Sequence, residues 1–99
     1  MEYSQTYIQK LIFKKQLPRF LDAHPMKGVT EDMLKQVQMS PKDEFGVTHV
    51  NILFNPEADR VFCILDAPNK GAVDKSHQKI GITCEWIMEV KETAAGGVK

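Results

Sequence analysis

The apolar residues of this chain fall into short strand-like runs, interrupted by two segments of helical spacing. "RFLDAH" (19–24) mixes apolar and polar positions, stops at Pro25 and reads as a short strand. Thr30 then offers a helix N-cap, and "EDMLKQVQM" behind it supplies an acidic first turn and helix-forming residues. Ser40-Pro41 is expected to kink or restart that helix, and Gly46 to end it. "VTHVNILF" (47–54) is rich in β-branched residues, "NPEAD" reads as a turn, and "RVFCILD" (60–66) as the returning half of a hairpin. After Pro68-Asn69, "KGAVDKSHQKI" predicts a second helix closed by Gly81, and "TCEWIMEV" (83–90) alternates as a last strand. The order βαββαβ is that of a ferredoxin-like α+β sandwich, a four-stranded antiparallel sheet with two helices on one face. Right-handed crossovers put the first and third strands in the centre of the sheet. The domain is expected over residues 19–91. Residues 1–18, with Ile8, Leu11 and Ile12 at helical spacing among lysines and glutamines, read as an amphipathic N-terminal extension. Residues 92–99 read as a small, polar, flexible tail.

Strand parity then assigns faces. With 55–59 as the hairpin loop, Phe54 pairs with Arg60, Asn51 with Cys63 and His49 with Leu65. Val50, Ile52, Phe54, Phe62 and Ile64 form a wholly apolar set, expected beneath the helices. The alternate set, with His49, Asn51 and Cys63, is expected on the open face. Leu21 and Ala23 suit the helix side of the first strand, which turns Phe20, Asp22 and His24 outward. In the last strand Cys84, Trp86, Met88 and Val90 are expected in the core and Ile87 outside. His24 and His49 then stand at one end of the sheet, flanking the third strand, about 9–10 Å apart by strand spacing. Two imidazoles could lean over the Cys63 thiol from there, with Asp22 and Asn51 placed to support them. Imidazole and thiolate together suit nickel, zinc or copper rather than magnesium or calcium. An open face this apolar predicts a homodimer that covers it.

Composition narrows the classes without choosing among them. The 99 residues are 42% hydrophobic and 26% charged, enough for one ordinary globular core. Thirteen basic residues balance thirteen acidic ones, which gives no electrostatic footprint for nucleic acid or a membrane surface. No apolar run approaches the length of a membrane span, and the N-terminus lacks the basic start and continuous apolar core of a secretory signal. Two cysteines make no disulfide framework, so a reducing cytoplasm is expected.

Each candidate also has a plainer reading. A mid-strand cysteine such as Cys63 fits a small buried hydrophobe. His24 or His49 alone fits a strand-end residue bonded to backbone or solvent. His77 lies beside Val73 and Ile80 at helical spacing, which fits a helix-surface or core-edge histidine. No Cys-x-x-Cys, His-Glu-x-x-His, P-loop or dinucleotide fingerprint is present, and no nucleophile–base–acid set stands at a familiar spacing.

From Phe20 onward the chain resembles a family of small bacterial domains of unknown function (number 4242), described as nickel-binding-protein-like. The resemblance lies in "FLDAH" with the following "GVT", in "FGVTHVNILF", in "AVDKSHQKIGIT", and above all in "DRVFCILDAP". The family's third strand typically reads Val-Phe/Tyr-Cys-Leu-x-Glu-Ala-Pro, and here Asp66 stands where glutamate is usual. Family members often carry a histidine near the position of Lys35 or Gln36, which this chain lacks. The resemblance implies a ferredoxin-like fold, self-association, and binding of a divalent transition metal such as nickel, with His24, Cys63 and His77 as candidate ligands. Strand geometry adds His49. The expected function is that of a non-enzymatic, dimeric, cytoplasmic metal-binding protein. The alternatives are a cofactor-independent oxygenase or isomerase, with His24 or His49 as general base in a dimer cavity, and a non-catalytic interaction module.

Overall fold

The computed structural model describes residues 17–94, so residues 1–16 of the expected N-terminal extension and 95–99 of the expected C-terminal tail lie outside the described residues. Six elements follow in the expected order: β1 (Arg19–His24), α1 (Glu31–Met39), β2 (Thr48–Asn55), β3 (Arg60–Asp66), α2 (Lys70–Lys79) and β4 (Trp86–Val90). The strands form one antiparallel sheet in the order β2-β3-β1-β4, with β1 and β3 central. This is the ferredoxin-like α+β sandwich.

Local chemistry sets the helix ends. The Thr30 hydroxyl accepts a hydrogen bond from the Met33 amide at 3.2 Å, and Glu31 and Asp32 occupy the positive end of α1. Proline at 41 pushes Ser40 into extended backbone (φ −71, ψ 144), so α1 stops at Met39. The expectation that it continues to Gly46 is corrected accordingly. Asn69 caps α2 by accepting from the Ala72 amide at 2.8 Å. Gly81, at φ +82, closes α2 in the left-handed region that glycine adopts without strain.

The register moves the faces. Asn55, not Phe54, pairs with Arg60, so the hairpin loop is one residue shorter than expected and Phe54 lies opposite Val61. A β-bulge between His49 and Asn51 shifts the ladder again, so that Thr48 and His49 still pair with Asp66 and Leu65. The side of the sheet under the helices carries Phe20, Asp22, His24, Val61, Cys63 and Leu65, all buried, packed with Leu34 of α1 and Val73 of α2. Phe62 and Ile64 alternate onto the other face. In β4, Ile87 packs against the core, while Trp86 and Met88 are 41% and 51% exposed. The parity of β1, β3 and β4 is therefore inverted relative to the sequence reading. In β3 both alternate sets are apolar, so amphipathicity does not separate them. In β1 the cost of burying polar groups argues for turning Asp22 and His24 outward. The molecule buries them nonetheless.

Candidate metal centre

Four side chains from three elements meet between the sheet and α2. β1 supplies Asp22 and His24, β3 supplies Cys63, and the buried stripe of α2 (Ala72, Val73, Ser76, His77) supplies His77. One potential ligand atom from each lies within 4.8 Å of all the others. The four residues are 0%, 1%, 2% and 3% exposed, respectively.

Their hydrogen bonds fix what the rings present. The Nδ1 of His24 lies 2.9 Å from the Pro25 carbonyl oxygen, and the Nδ1 of His77 lies 2.9 Å from that of Val73. A carbonyl can only accept, so each Nδ1 carries a proton and each ring, when neutral, keeps its lone pair on Nε2. Those lone pairs point into the cluster. His24 Nε2 is 3.8 Å from the Cys63 sulfur, and His77 Nε2 is 3.2 Å from Asp22 Oδ2. Among the described residues, neither carboxylate oxygen of Asp22 has a hydrogen-bond partner of normal geometry.

Burial disfavours the charged forms of Asp22, Cys63 and His77. It pushes the Asp22 carboxyl up to about 7, against a smaller opposing pull from the Cys63 thiol and amide. It pushes the Cys63 thiol far above its usual range, helped by the neighbouring Asp22. It also holds His77 below the usual imidazole value, offset in part by its bond to the Val73 carbonyl. A buried carboxylate, a thiol and two lone-pair nitrogens form an electron-rich pocket. These donors fit a borderline or soft divalent cation, which would deprotonate the thiol and satisfy the carboxylate together.

The grouping of Asp22, His24 and Cys63 expected from strand parity holds together, but on the helix-covered face rather than the open one. His24 pairs with Val61 and His49 with Leu65, so the two histidines lie four β3 residues apart and not at one end of the sheet. His77 joins the group: its ring centroid is 5.4 Å from that of His24 and 6.0 Å from that of His49. His49 itself stands outside the four-residue set. Asn51 is exposed and its Oδ1 accepts from the Ile52 amide, so its expected supporting role is corrected. Asp22, expected in a supporting place, has a ligand atom within 4.8 Å of those of the other three. The signal for His77 is the stripe of α2, where it follows Val73 by four residues onto the sheet-facing side. Both cysteines are free thiols.

The model of the family described as nickel responsive protein SCO4226-like matches residues 20–90. The crystal structure of SCO4226 from Streptomyces coelicolor A3(2) superposes with a TM-score of 0.64 at 26% identity, covering 77% of this chain and 99% of that one. No curated protein sequence matches the chain. The match over 20–90 takes in every strand but one residue, both helices and all four cluster residues, and the chain belongs to the nickel-responsive SCO4226-like family.

Proposed function

We propose that this protein binds one divalent transition metal ion per chain, nickel foremost, through Asp22, His24, Cys63 and His77. The observation that carries the reading is the pair of histidine lone pairs, both set by backbone carbonyls, converging on an unpartnered buried carboxylate and a thiol. A core built only for stability gains nothing from this set, since each unmet polar group costs on the order of 1–3 kcal/mol. The description of the family as nickel responsive supports nickel as the first candidate. Imidazole suits nickel, and thiolate suits softer cations, so zinc and copper are the competitors to test.

A homodimer joined through the open face goes with this reading. Leu53, Trp86 and Met88, all more than 40% exposed, support it, because such side chains are costly to leave in water. A cytoplasmic location goes with it too, since a thiolate ligand survives best where thiols stay reduced.

The test is elemental analysis and calorimetric titration with nickel and zinc on untagged protein, beside a His24→Ala/Cys63→Ala variant. Submicromolar binding at one ion per chain in the wild type, lost in the variant, is the expected outcome. A wild type that binds neither metal, or a variant with unchanged stoichiometry, overturns the assignment.

A further inference from the structure

The four ligand residues are sealed from solvent, so a cation needs a way in. A cavity of about 270 Å³ between α1, α2 and the sheet reaches three of them, His24, Cys63 and His77. Its wall is mostly apolar, with Val37, Ile52 and Ile82 among its residues, and Gln36 and Ser40 are its neutral polar members. The apolar part of this wall cannot replace the waters that a divalent cation must shed on the way to the cluster. Neutral oxygens such as those of Gln36 and Ser40 replace them poorly for a borderline cation, and an undressed ion in an apolar passage is very unfavourable. A donor partway along the passage removes that difficulty by exchanging one ligand at a time.

His49 lines this cavity and lies outside the four-residue set. Its ring centroid is 6.0 Å from that of His77. Among the described residues no hydrogen bond fixes either of its ring nitrogens, in contrast to His24 and His77. The β-bulge after His49 gives it this position: in an unbroken strand His49 and Ile52 would face opposite sides, yet both line the same cavity. Met33 lines the cavity as well, but its thioether prefers softer cations than imidazole does.

We infer that His49 is a transfer ligand, which takes an incoming divalent cation in the cavity and passes it to His77 without belonging to the final set. The inference rests on the metal reading above. A group that eases passage without binding in the end state speeds loading and release by the same factor.

The experiment follows nickel loading of metal-stripped protein by stopped flow, through the absorption of the nickel–thiolate bond, and nickel release to excess chelator. It compares wild type with His49→Ala, which widens the passage, and His49→Phe, which keeps a ring but no lone pair. Both variants are expected to load and release about tenfold or more slowly, a barrier increase of about 1.4 kcal/mol, with little change in equilibrium affinity. Alanine that loads as fast as wild type, or faster, overturns the inference and makes His49 at most a steric gate. Loss of affinity with unchanged loading also overturns it, by making His49 a resident ligand. A wild type that never loads overturns the metal reading itself, an outcome distinct from wild type and variants that load alike.

Discussion

His77 Nε2 lies 3.2 Å from Asp22 Oδ2 with both side chains buried, and the contact is not aligned as a hydrogen bond. The nitrogen's proton is on the other side of the ring, at Nδ1, held by the Val73 carbonyl. Two lone-pair carriers therefore face each other in a water-poor site. The arrangement becomes favourable when a cation, or a proton on Asp22, sits between them.

Asp22→Asn tests that reading in two directions at once. The amide is neutral and can donate to His77 Nε2, so the metal-free protein should gain about 1–3 kcal/mol of stability above pH 7. Nickel affinity should fall by at least about tenfold, because the anionic ligand is gone. Thermal unfolding with and without nickel reads both effects. A variant less stable without metal and unimpaired with it would show that Asp22 is satisfied by the protein alone.

The same carboxyl shapes the pH response. Asp22 is raised from 3.8 to about 7, so its contribution to metal-free stability is present at low pH and is lost as pH rises through 7. Burial lowers His49 from 6.5 to about 4 and also lowers His77, so their contributions are present above 6.5 and are lost as pH falls. Between about 4 and 6.5 the rise due to His49, joined by His77, opposes the fall due to Asp22. Between about 6.5 and 7 the Asp22 fall is unopposed, and it ends once the carboxyl is ionised in both states. Asp22→Asn should remove the Asp22 fall, so the slope of stability against pH should become more positive between about 4 and 7. Denaturant midpoints of both proteins from about pH 5 to 7.5 check this, and equal slopes below pH 7 would falsify it.

Metal binding should release protons in a matching pattern. The Cys63 thiol is protonated across this range and the Asp22 carboxyl below about 7. Nickel should therefore displace about two protons per ion at pH 6 and about one at pH 8. Calorimetry in buffers of different ionisation enthalpy counts them. Equal release at both pH values would place Asp22 outside the metal's reach.

The element order was legible in the sequence because its signals are local: the Thr30 cap, Pro41, Gly81 and the β-branched runs each act within a turn. The partnership of Asp22, His24 and Cys63 was legible too, since it depends only on which residues share a face and on the β1–β3 pairing. Which face they share was not. Val61, Cys63 and Leu65 are as apolar as Phe62 and Ile64, so no local pattern in β3 separates inside from outside. The bulge that turns His49 inward leaves no residue signature, as Val50 reads like any strand valine. His77 becomes part of the cluster only when α2 packs on the sheet, a tertiary event that helical spacing alone does not announce.

The open face carries its own prediction. Trp86 and Met88 are about half exposed at alternate positions of β4, so replacing both with glutamate should cost the subunit little. The double variant should nevertheless convert the proposed dimer to monomer, because two charges would be buried without partners at the interface. Sedimentation equilibrium distinguishes the states. A wild type that sediments as a monomer at tens of micromolar rejects the dimer outright.

The position of His77 depends on a contact one residue away. Ser76 donates its hydroxyl to Asp43, whose other oxygen accepts from the Phe45 and Val47 amides at 2.9 and 3.0 Å. These bonds hold Asp43 below the ordinary carboxylate range despite the opposing effect of its partial burial. They also tie the loop before β2 to the turn of α2 that carries His77. Ser76→Ala should cost about 1 kcal/mol, and Asp43→Ala about 2–3 kcal/mol because three donors lose their acceptor. The double variant should cost no more than Asp43→Ala, since the serine bond is already gone. Urea unfolding of the four proteins gives the cycle, and additive losses would separate the two residues. Nickel affinity should fall a few-fold in Ser76→Ala even though Ser76 touches no ligand atom, because a looser α2 must be ordered again before His77 can meet Asp22. An affinity unchanged within error, beside the expected loss of stability, would confine the bond to holding the fold.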